Sequence, residues 1–349
     1  MRNPLRLLKR NSPKTSEVTP LDGVDLLLAD LDGVVYKGHQ AIPYAVESIN
    51  RAHESIAVGY VTNNASRTPA SVADQLTALG LTVAPDDVVT SPQAAVRLLA
   101  ELVPAGSTVL AVGGDGLHSE LDRAGFRVTT SAEDTPAAVI QGYAPEVGWV
   151  ELAEAAYALQ GEGAERPWVA TNTDWTLPTA RGTAPGNGTL VSAVHTAIAR
   201  LPVVAGKPEV AIFEEAVARF GGASPLFLGD RLDTDILGAN RAGIPSALVL
   251  TGIDRAKQVL AAGKNSRPTY LIDDLRELFE PYPHPVETTD RRGDRLVTVR
   301  GAQIRMSANV LTIEKRGDNP TDLLRAGAAA IWGSGLAIYG LEVPEELYA

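Results

Sequence analysis

The sequence predicts an α/β protein whose core is a parallel β-sheet between two layers of helices, with a second α/β domain inserted into it. Three observations support this class. Apolar runs such as 26–29, 56–61 and 225–228 do not alternate with polar residues, as expected of parallel strands buried on both faces. Helical patterns separate these runs, as in successive βα units. Several runs end directly in polar side chains, where open parallel sheets bind their ligands.

The composition is that of a globular protein large enough for several domains. The chain has 349 residues, of which 45% are hydrophobic and 21% charged, enough for two domains and a small third module. Its net charge of −11 argues against nucleic acid or an anionic membrane as the main partner. The absence of cysteine excludes disulfides and thiolate chemistry and fits a cytoplasmic location. No apolar run approaches the length of a membrane span.

The pattern divides the chain into four parts. They are a basic tail (1–20), a core in two segments (21–87 and 201–280), an inserted α/β domain (88–200) and a C-terminal α+β module (283–349). The apolar stretch of the tail is too short for a secretory signal. The segment 281–285 is a linker by composition, and the module after it has predicted strands at 295–300 and 309–315 and a helix that opens at Thr321. Its sixty-odd residues are marginal for independent folding. We therefore expect it to dock on the core or to mediate self-association.

The first predicted strand, 26–29, ends in two acidic residues. Asp30 follows the strand directly, and Asp32 points to the same side if the backbone stays extended. Gly33 then lets the chain turn away without crowding the carboxylates. Neighbouring carboxylates repel each other unless a cation or a shared proton relieves the repulsion. By itself this stretch fits a cation site and an ordinary acidic turn equally well.

The second predicted strand, 56–61, ends in small neutral hydrogen-bonding residues. These are Thr62, Asn63 and Asn64, which are suited to hold an anion without competing with it for a metal. A helix over 69–79 follows, with Thr68 as its N-cap, Pro69 at its first position and Gly80 just past its end. The strand, polar turn and helix together make one α/β unit.

The insert shows a second α/β pattern. Strands are expected at 108–112, 137–141 and 168–170, and helices at 91–102 and 149–159. The glycine-rich segment 113–116 has neither the spacing of a dinucleotide fingerprint nor the lysine of a phosphate-binding loop, so we interpret it as a tight strand-to-helix turn. The stretch 171–188 reads as a long shaped loop. His195 is interpreted as a core or interface residue, because no second ligand has matching spacing.

After the insert the chain returns to its first pattern. Strands are expected at 202–205, 225–228 and 247–250, with a helix over 208–220 and another ending at Gly243. Lys207 follows the first of these strands. Asp230 and Asp235 follow the second. All these groups are expected to converge along one edge of the sheet, because the carboxyl ends of parallel strands lie together.

The converging groups have the chemistry of metal-dependent phosphoryl transfer. A carboxylate takes the phosphoryl group, and a divalent cation offsets the repulsion between the carboxylates and the phosphate dianion. A lysine neutralises phosphate oxygens, and hydroxyl and amide donors hold the remaining oxygens. A second carboxylate gives a proton to the leaving alcohol and later takes one from water.

The order of these residues resembles that of the haloacid dehalogenase (HAD) superfamily of phosphohydrolases. The four matching motifs are Asp30-Leu31-Asp32-Gly33, Val61-Thr62-Asn63-Asn64, Gly206-Lys207-Pro208 and Gly229-Asp230-Arg231-Leu232-Asp233-Thr234-Asp235. The resemblance covers residues 21–280. It implies a Rossmann-like core, a small phosphorylated metabolite as substrate and Mg²⁺ as cofactor.

The resemblance also implies a role for each motif residue. Asp30 is expected to be the nucleophile and Asp32 the general acid/base. Thr62, Asn63, Asn64 and Lys207 are expected to hold the transferring phosphate. Magnesium is expected on Asp30, Asp230 and the backbone carbonyl of Asp32, with Asp235 supporting the site from behind. Asp233 is expected to be a solvated turn residue.

The insert resembles the cap of HAD subclass IIA, with a cap loop like Thr171-Asn172-Thr173-Asp174 followed by Pro185-Gly186-Asn187-Gly188. Leu177 stands where pyridoxal phosphate phosphatases place a histidine, which argues against recognition of an aromatic ring. Glycerol 3-phosphate is the substrate expected from this resemblance, with phosphoglycolate as the alternative. A phosphotransferase or mutase, and a non-catalytic sensor of a phosphorylated metabolite, remain as further alternatives.

Overall fold

The computed structural model describes residues 18–179 and 181–348. The predicted tail, 1–20, lies almost entirely outside the described residues. Among the helices of the described ranges, none is both long and apolar enough to cross a bilayer.

The strands, in chain order, are β1 (Leu26–Ala29), β2 (Tyr36–Lys37), β3 (Gln40–Ala41), β4 (Ala57–Thr62), β5 (Val88–Thr90), β6 (Thr108–Val112), β7 (Arg127–Thr129), β8 (Ala138–Gln141), β9 (Trp168–Ala170), β10 (Thr176–Thr179), β11 (Gly182–Pro185), β12 (Val203–Val204), β13 (Pro225–Gly229), β14 (Ser246–Val249), β15 (Tyr270–Ile272), β16 (Val286–Thr289), β17 (Arg295–Val299), β18 (Ala302–Ser307) and β19 (Val310–Arg316). The helices are α1 (Ala45–His53), α2 (Pro69–Ala78), α3 (Ser91–Leu102), α4 (Asp115–Arg123), α5 (Trp149–Ala158), α6 (Asn187–Ile198), α7 (Val210–Phe220), α8 (Leu237–Arg241), α9 (Ala256–Leu260) and α10 (Pro320–Ser334).

The central sheet has six parallel strands in the order β15-β14-β13-β1-β4-β5. Alternate residues of β1 enter two different apolar clusters. Leu26 and Leu28 pack on one face, and Leu27 and Ala29 pack on the other. All four are fully buried. This confirms the prediction of a strand covered by helices on both faces, with its carboxyl end at the centre of the sheet edge.

The insert forms a second parallel sheet in the order β12-β9-β8-β6-β7. Helices α5 and α6 pack on one of its faces through a separate apolar cluster. The stretch 171–188, expected to be a loop, contains the antiparallel hairpin β10–β11. No alternating pattern marks this hairpin in the sequence, because its strands pair with each other and β11 stays largely exposed.

Two short strands lie in different sheets from those expected. Residues 88–90 fall in the insert by the expected boundary, with no strand predicted there, but they form β5 and pair with β4, where Thr90 lies beside Thr62 in the central sheet. β12 was assigned to the core but pairs with β9, where Val204 lies beside Ala170. These strands are three and two residues long, and such short apolar runs do not indicate which sheet they will join. Lys207 therefore lies on the segment that returns from the inserted sheet to the central sheet.

The C-terminal module is a four-stranded antiparallel sheet, β16-β17-β18-β19, with α10 packed on it. The sequence predicted only the strands at 295–300 and 309–315. Apolar residues of the module share one cluster with residues of the central domain, among them Leu248 and Leu271. The segment expected to be a linker is also docked, since Tyr282 accepts a 3.0 Å hydrogen bond from Leu271 N. The module is thus continuous with the core.

A buried arginine joins the module to the edge of the central sheet. Arg325 of α10 is 3% exposed, and its Nε and Nη2 donate to Leu271 O at 2.8 and 2.6 Å. Its Nη1 donates to Asp322 at 2.7 Å, and it also pairs with Glu277. β15 is the edge strand of the central sheet, and the guanidinium thus provides hydrogen-bond donors for its Leu271 carbonyl.

Candidate active site

Three carboxylates meet where β1 and β13 end side by side. Asp30 follows β1, and its N–H donates to Leu228 O at 2.9 Å. Asp30, Asp230 and Asp235 each bring one oxygen to within 4.8 Å of the others. All three are buried. The first and fourth sequence motifs therefore converge as expected.

Lys207 balances part of this negative charge. Its Nζ lies 2.5 Å from Asp30 Oδ1 and 2.7 Å from Asp235 Oδ1. Burial alone would lower the pKa of Lys207, but the two carboxylates outweigh burial and raise it, so the lysine stays charged. Burial raises the pKa of Asp30 well above its usual value, and Lys207 opposes that shift.

The oxygens of Asp230 and Asp235 are used differently. Asp235 Oδ2 accepts hydrogen bonds from the N–H groups of Asp230 and Arg231, both at 3.1 Å, and its Oδ1 faces Lys207. Asp230 Oδ2 accepts from Ile253 N at 2.7 Å. Asp230 Oδ1 is buried without a hydrogen-bond partner among the described residues. Asp235 therefore orients its neighbours, while Asp230 keeps one oxygen for a ligand.

This arrangement fits a divalent cation. Burial, and then the charge of Asp235, raise the pKa of Asp230 to about 7. A buried carboxylate with a free oxygen beside a second carboxylate is the oxygen donor set that Mg²⁺ prefers. Asp30 and Asp230 are thus placed to hold magnesium.

Asp32 sits apart from the three buried carboxylates and is exposed. The chain turns after it through Gly33, which has a φ of +84° and donates its N–H to Tyr36 O at 2.9 Å. A side chain at 33 would overlap the carboxylate of Asp230. Desolvation raises the pKa of Asp32, while Lys207 and Arg67 oppose the rise. Asp32 is therefore an accessible carboxyl with an elevated proton affinity.

The second motif lies at the end of β4, next to the segment that carries Lys207. Thr62 is buried at the end of β4, and its Oγ1 accepts from Asn64 N at 3.1 Å. Asn63 Nδ2 donates to Lys207 O at 3.0 Å and to Asp174 Oδ1 at 3.2 Å. An amide group has only two donor hydrogens, so the Asn63 side chain has none left for a phosphate oxygen. The expected contact of Asn63 with the phosphate stays a prediction.

Asn64 is exposed. Its Oδ1 accepts from the N–H and the hydroxyl of Ser66, each at 3.0 Å. The expected phosphate contact from Asn64 stays a prediction.

Sequence reasoning gave no individual role to two groups at the site. Asp174 was named only as part of the cap loop, yet it reaches Asn63 and is partly buried. Burial raises its pKa, opposed by Asn63, Lys207 and Arg231. The segment after β14 also reaches the site, where Thr251 Oγ1 donates to Gly33 O at 2.7 Å. The position of Thr251 in the sequence could have indicated this contact, because it follows β14, which ends at the same edge of the sheet.

The other candidate features have structural explanations. Gly116 packs on the loop after the second motif, and a Cβ there would lie 2.7 Å from Arg67 O. β6 ends at Val112 and α4 begins at Asp115, so the chain makes a tight strand-to-helix turn here, as predicted. His195 Nδ1 donates to Arg200 O at 2.9 Å, as expected of a structural histidine. Asp233 is exposed and pairs with Arg231 at 2.8 Å.

Comparison with known proteins identifies the family. A model described as "haloacid dehalogenase-like hydrolase" matches residues 27–127, and a HAD-hydrolase-like model matches residues 204–278. The D-glycerol 3-phosphate phosphatase of Mycobacterium tuberculosis is 42% identical over 316 residues, which are 88% of this chain and 86% of that protein. Human chronophin is 36% identical over 273 residues, 73% of this chain and 92% of that protein.

Solved structures agree with this result. The glycerol phosphate phosphatase from Mycobacterium tuberculosis in complex with magnesium has a TM-score of 0.81 and 41% identity, covering 90% of this chain and 92% of that one. A thermostable NPPase from Geobacillus stearothermophilus has a TM-score of 0.64 and 32% identity, covering 72% of this chain and 96% of that one. The second match leaves more than a quarter of this chain without a counterpart.

Proposed function

The chain belongs to the haloacid dehalogenase-like hydrolases, and from this membership we propose that it is a magnesium-dependent phosphomonoester hydrolase acting on glycerol 3-phosphate. The observation that carries the proposal is the meeting of Asp30, Lys207 and Asp230 at one sheet edge, within the distances given above. The substrate is proposed from the relatives, since both the 42% identical curated protein and the magnesium-bound structure are named for glycerol phosphate.

The proposed reaction begins at Asp30. Its Oδ attacks the phosphorus, the bond from phosphorus to the ester oxygen breaks, and an aspartyl phosphate forms. Asp32 gives its proton to the departing alkoxide, which leaves as glycerol. The exposed position of Asp32 and the upward shift of its pKa by desolvation suit a residue that donates a proton to the leaving group.

The second half of the proposed reaction hydrolyses the intermediate. Asp32, now ionised, takes a proton from water while the water oxygen attacks phosphorus. The bond from phosphorus to Asp30 breaks, inorganic phosphate is released and the carboxylate of Asp30 is restored. Each carboxylate therefore returns to its starting protonation state.

The remaining residues bind and orient the phosphate. Lys207, whose Nζ lies beside Asp30, is proposed to neutralise phosphate oxygens, and the hydroxyl of the buried Thr62 is proposed to donate to another oxygen. Asp30, Asp230 and the backbone carbonyl of Asp32 are proposed to hold Mg²⁺, which supplies charge neutralisation for the phosphoryl oxygens when bound. Asp235 fixes Lys207 and the turn that carries Asp230.

The insert is proposed to act as a cap that contacts the leaving group. It contacts the same sheet edge, since Asp174 accepts a hydrogen bond from Asn63 beside Lys207. A cap over an active site can exclude water from the aspartyl phosphate.

A panel of phosphate esters tests the proposal. Glycerol 3-phosphate, phosphoglycolate, pyridoxal phosphate and an aryl phosphate are compared with and without Mg²⁺, and released inorganic phosphate is measured. We expect the highest kcat/KM for glycerol 3-phosphate and no turnover after chelation. A preference for another ester would contradict glycerol 3-phosphate as the substrate. Absence of phosphate release from every ester would contradict the proposed phosphatase activity. Transfer of phosphate to added glycerol instead of water would indicate a phosphotransferase.

A further inference from the structure

Asn63 lies where the two chain segments that connect the core and the insert meet the candidate site. It follows β4 of the central sheet directly. Its backbone carbonyl accepts hydrogen bonds from Ser91 Oγ and from Asn172 Nδ2, both at 2.8 Å. Ser91 begins the helix by which the chain leaves the central sheet, and Asn172 follows β9 of the inserted sheet.

The side chain of Asn63 holds the third motif. Asn63 Oδ1 accepts from Lys207 N at 2.8 Å, and Nδ2 donates to Lys207 O at 3.0 Å. This two-point contact fixes the main chain of the residue whose Nζ meets Asp30. The remaining hydrogen of Nδ2 points to Asp174 Oδ1, 3.2 Å away in the insert.

The backbone segments around this contact are closely packed at Gly206. Gly206 N donates to Thr171 O at 2.7 Å. A Cβ at position 206 would lie 2.5 Å from Thr171 O and 2.7 Å from Asn63 Oδ1, so any larger residue would separate the three segments. Asn172 Oδ1 also accepts from Asp174 N at 3.1 Å, which sets the direction of the Asp174 side chain.

We propose that Asn63 is a positioning residue that couples the insert to Lys207, with Asp174 as its partner in the insert. The inference rests on the proposed function. When Asp174 occupies one donor of the Asn63 amide, the amide plane is held so that its other atoms bind the main chain of Lys207. A change in the position of the insert therefore changes the position of Lys207, the residue that neutralises the phosphate. A role for Asn63 as a direct phosphate ligand is the alternative.

A double-mutant cycle separates these two roles. Asn63→Ala, Asp174→Ala and the double variant are assayed for kcat/KM with an aryl phosphate and Mg²⁺. Each single variant is expected to lose about tenfold or more, and the double variant is expected to lose no more than the worse single variant, because both break one coupled unit. Losses that multiply in the double variant would overturn the coupling.

Conservative substitution at 174 provides a second readout. Asp174→Asn keeps an oxygen that accepts from Asn63, so it is expected to stay within about threefold of the wild type. If Asp174 instead acted through its charge, Asp174→Asn would be as damaging as Asp174→Ala, and the proposal would be overturned. The Ki of inorganic phosphate is expected to rise in parallel in Asn63→Ala and Asp174→Ala. A rise confined to Asn63→Ala would indicate a direct ligand.

Hydrogen exchange tests the coupling independently of activity. In Asp174→Ala, amides of 205–208 are expected to exchange faster than in the wild type, although the mutation lies in the insert. The matched control is Asn309→Ala, which removes a surface amide that donates to Gly340 O at 3.2 Å and should leave 205–208 unchanged. Unchanged exchange at 205–208 in Asp174→Ala would refute the coupling. Absence of wild-type hydrolysis would refute the proposed function and leave this exchange test decisive for the coupling.

Discussion

Lys207 Nζ lies 2.5 Å from Asp30 Oδ1, although 177 positions separate the two residues in the chain. The contact joins the strand that begins the core to the segment that returns from the insert. Both side chains are buried, so each depends on the other, and on Asp235, for compensation of its charge. Folding of the insert and assembly of the site are consequently linked.

Replacement of the nucleophile should remove turnover and preserve the fold. Asp30→Asn has the same shape but cannot form an aspartyl phosphate. We expect no detectable phosphate release. The melting temperature should stay within about 4 °C of the wild type, because Asp235 remains as the buried partner of Lys207. Steady-state assay and thermal unfolding check both parts. Retained turnover in a pure, folded Asp30→Asn preparation would contradict the assigned nucleophile.

Removal of the buried lysine should damage stability as well as activity. Lys207→Met leaves Asp30 and Asp235 facing each other without a cation, and loss of one partner of a buried ion pair costs about 3–5 kcal/mol. Denaturant unfolding in the absence of metal measures this cost. Arg241→Met is the matched control, because the pair between Arg241 and Glu209 is exposed and is worth about 0–1 kcal/mol. Equal losses in the two variants would argue against the buried pair.

The stabilisation by magnesium should increase with pH. The pKa of Asp230 is about 7 in the folded metal-free protein against an ordinary 3.8, so between these values the folded state binds more protons than the unfolded chain. The contribution of Asp230 to stability is therefore present at low pH and is lost as pH rises through about 7. Mg²⁺ requires the ionised form, so it should restore stability most where the proton has left.

Thermal shifts measured at several pH values with and without Mg²⁺ test this. We expect a larger shift at pH ~8 than at pH ~5.5 because protons and metal compete for the same carboxylate. Asp230→Asn should abolish both the shift and its pH dependence. A shift that is equal at all pH values would show that Asp230 is not the group that competes.

The contact between the core and the insert should depend on Gly116. A Cβ at this position would lie 2.7 Å from Arg67 O and 3.1 Å from Ala65 O, so Gly116→Ala should force the two segments apart at a cost of about 1–3 kcal/mol. We expect a lower melting temperature and a lower kcat/KM. Gly263→Ala is the control, because its added methyl group would meet no atom within 4 Å among the described residues. Wild-type behaviour of Gly116→Ala would show that the contact is adaptable.

The C-terminal module should be required for a stable core. Arg325→Met removes the donors to Leu271 O and leaves Asp322 and Glu277 without their buried partner. Loss of this partner should cost about 3–5 kcal/mol, measured by denaturant unfolding. Arg316→Met removes an exposed pair with Glu346 and should cost about 0–1 kcal/mol. If Arg325→Met unfolded like the control, the module would be a separate unit.

Local patterns in the chain were sufficient for most elements and for the chemistry. The uninterrupted apolar run at 26–29 predicted a strand buried on both faces, and the following Asp30 placed a carboxylate at its end. Helix α3 has the predicted bounds, 91–102, because Ser91 and Pro92 mark its start. These features depend on residues close in sequence, so they can be predicted without knowledge of the tertiary fold.

Long-range pairing decided the rest. β5 and β12 are too short for their sequences to specify a partner, and each lies in a different sheet from the one expected. The role of Asn63 depends on Lys207 and Asp174, which lie 144 and 111 positions away. An isolated Thr-Asn-Asn turn offers the same donors to a phosphate or to a peptide group. Only the approach of the returning chain determines which acceptor takes them, because a hydrogen bond forms with whatever partner tertiary packing brings within about 3 Å.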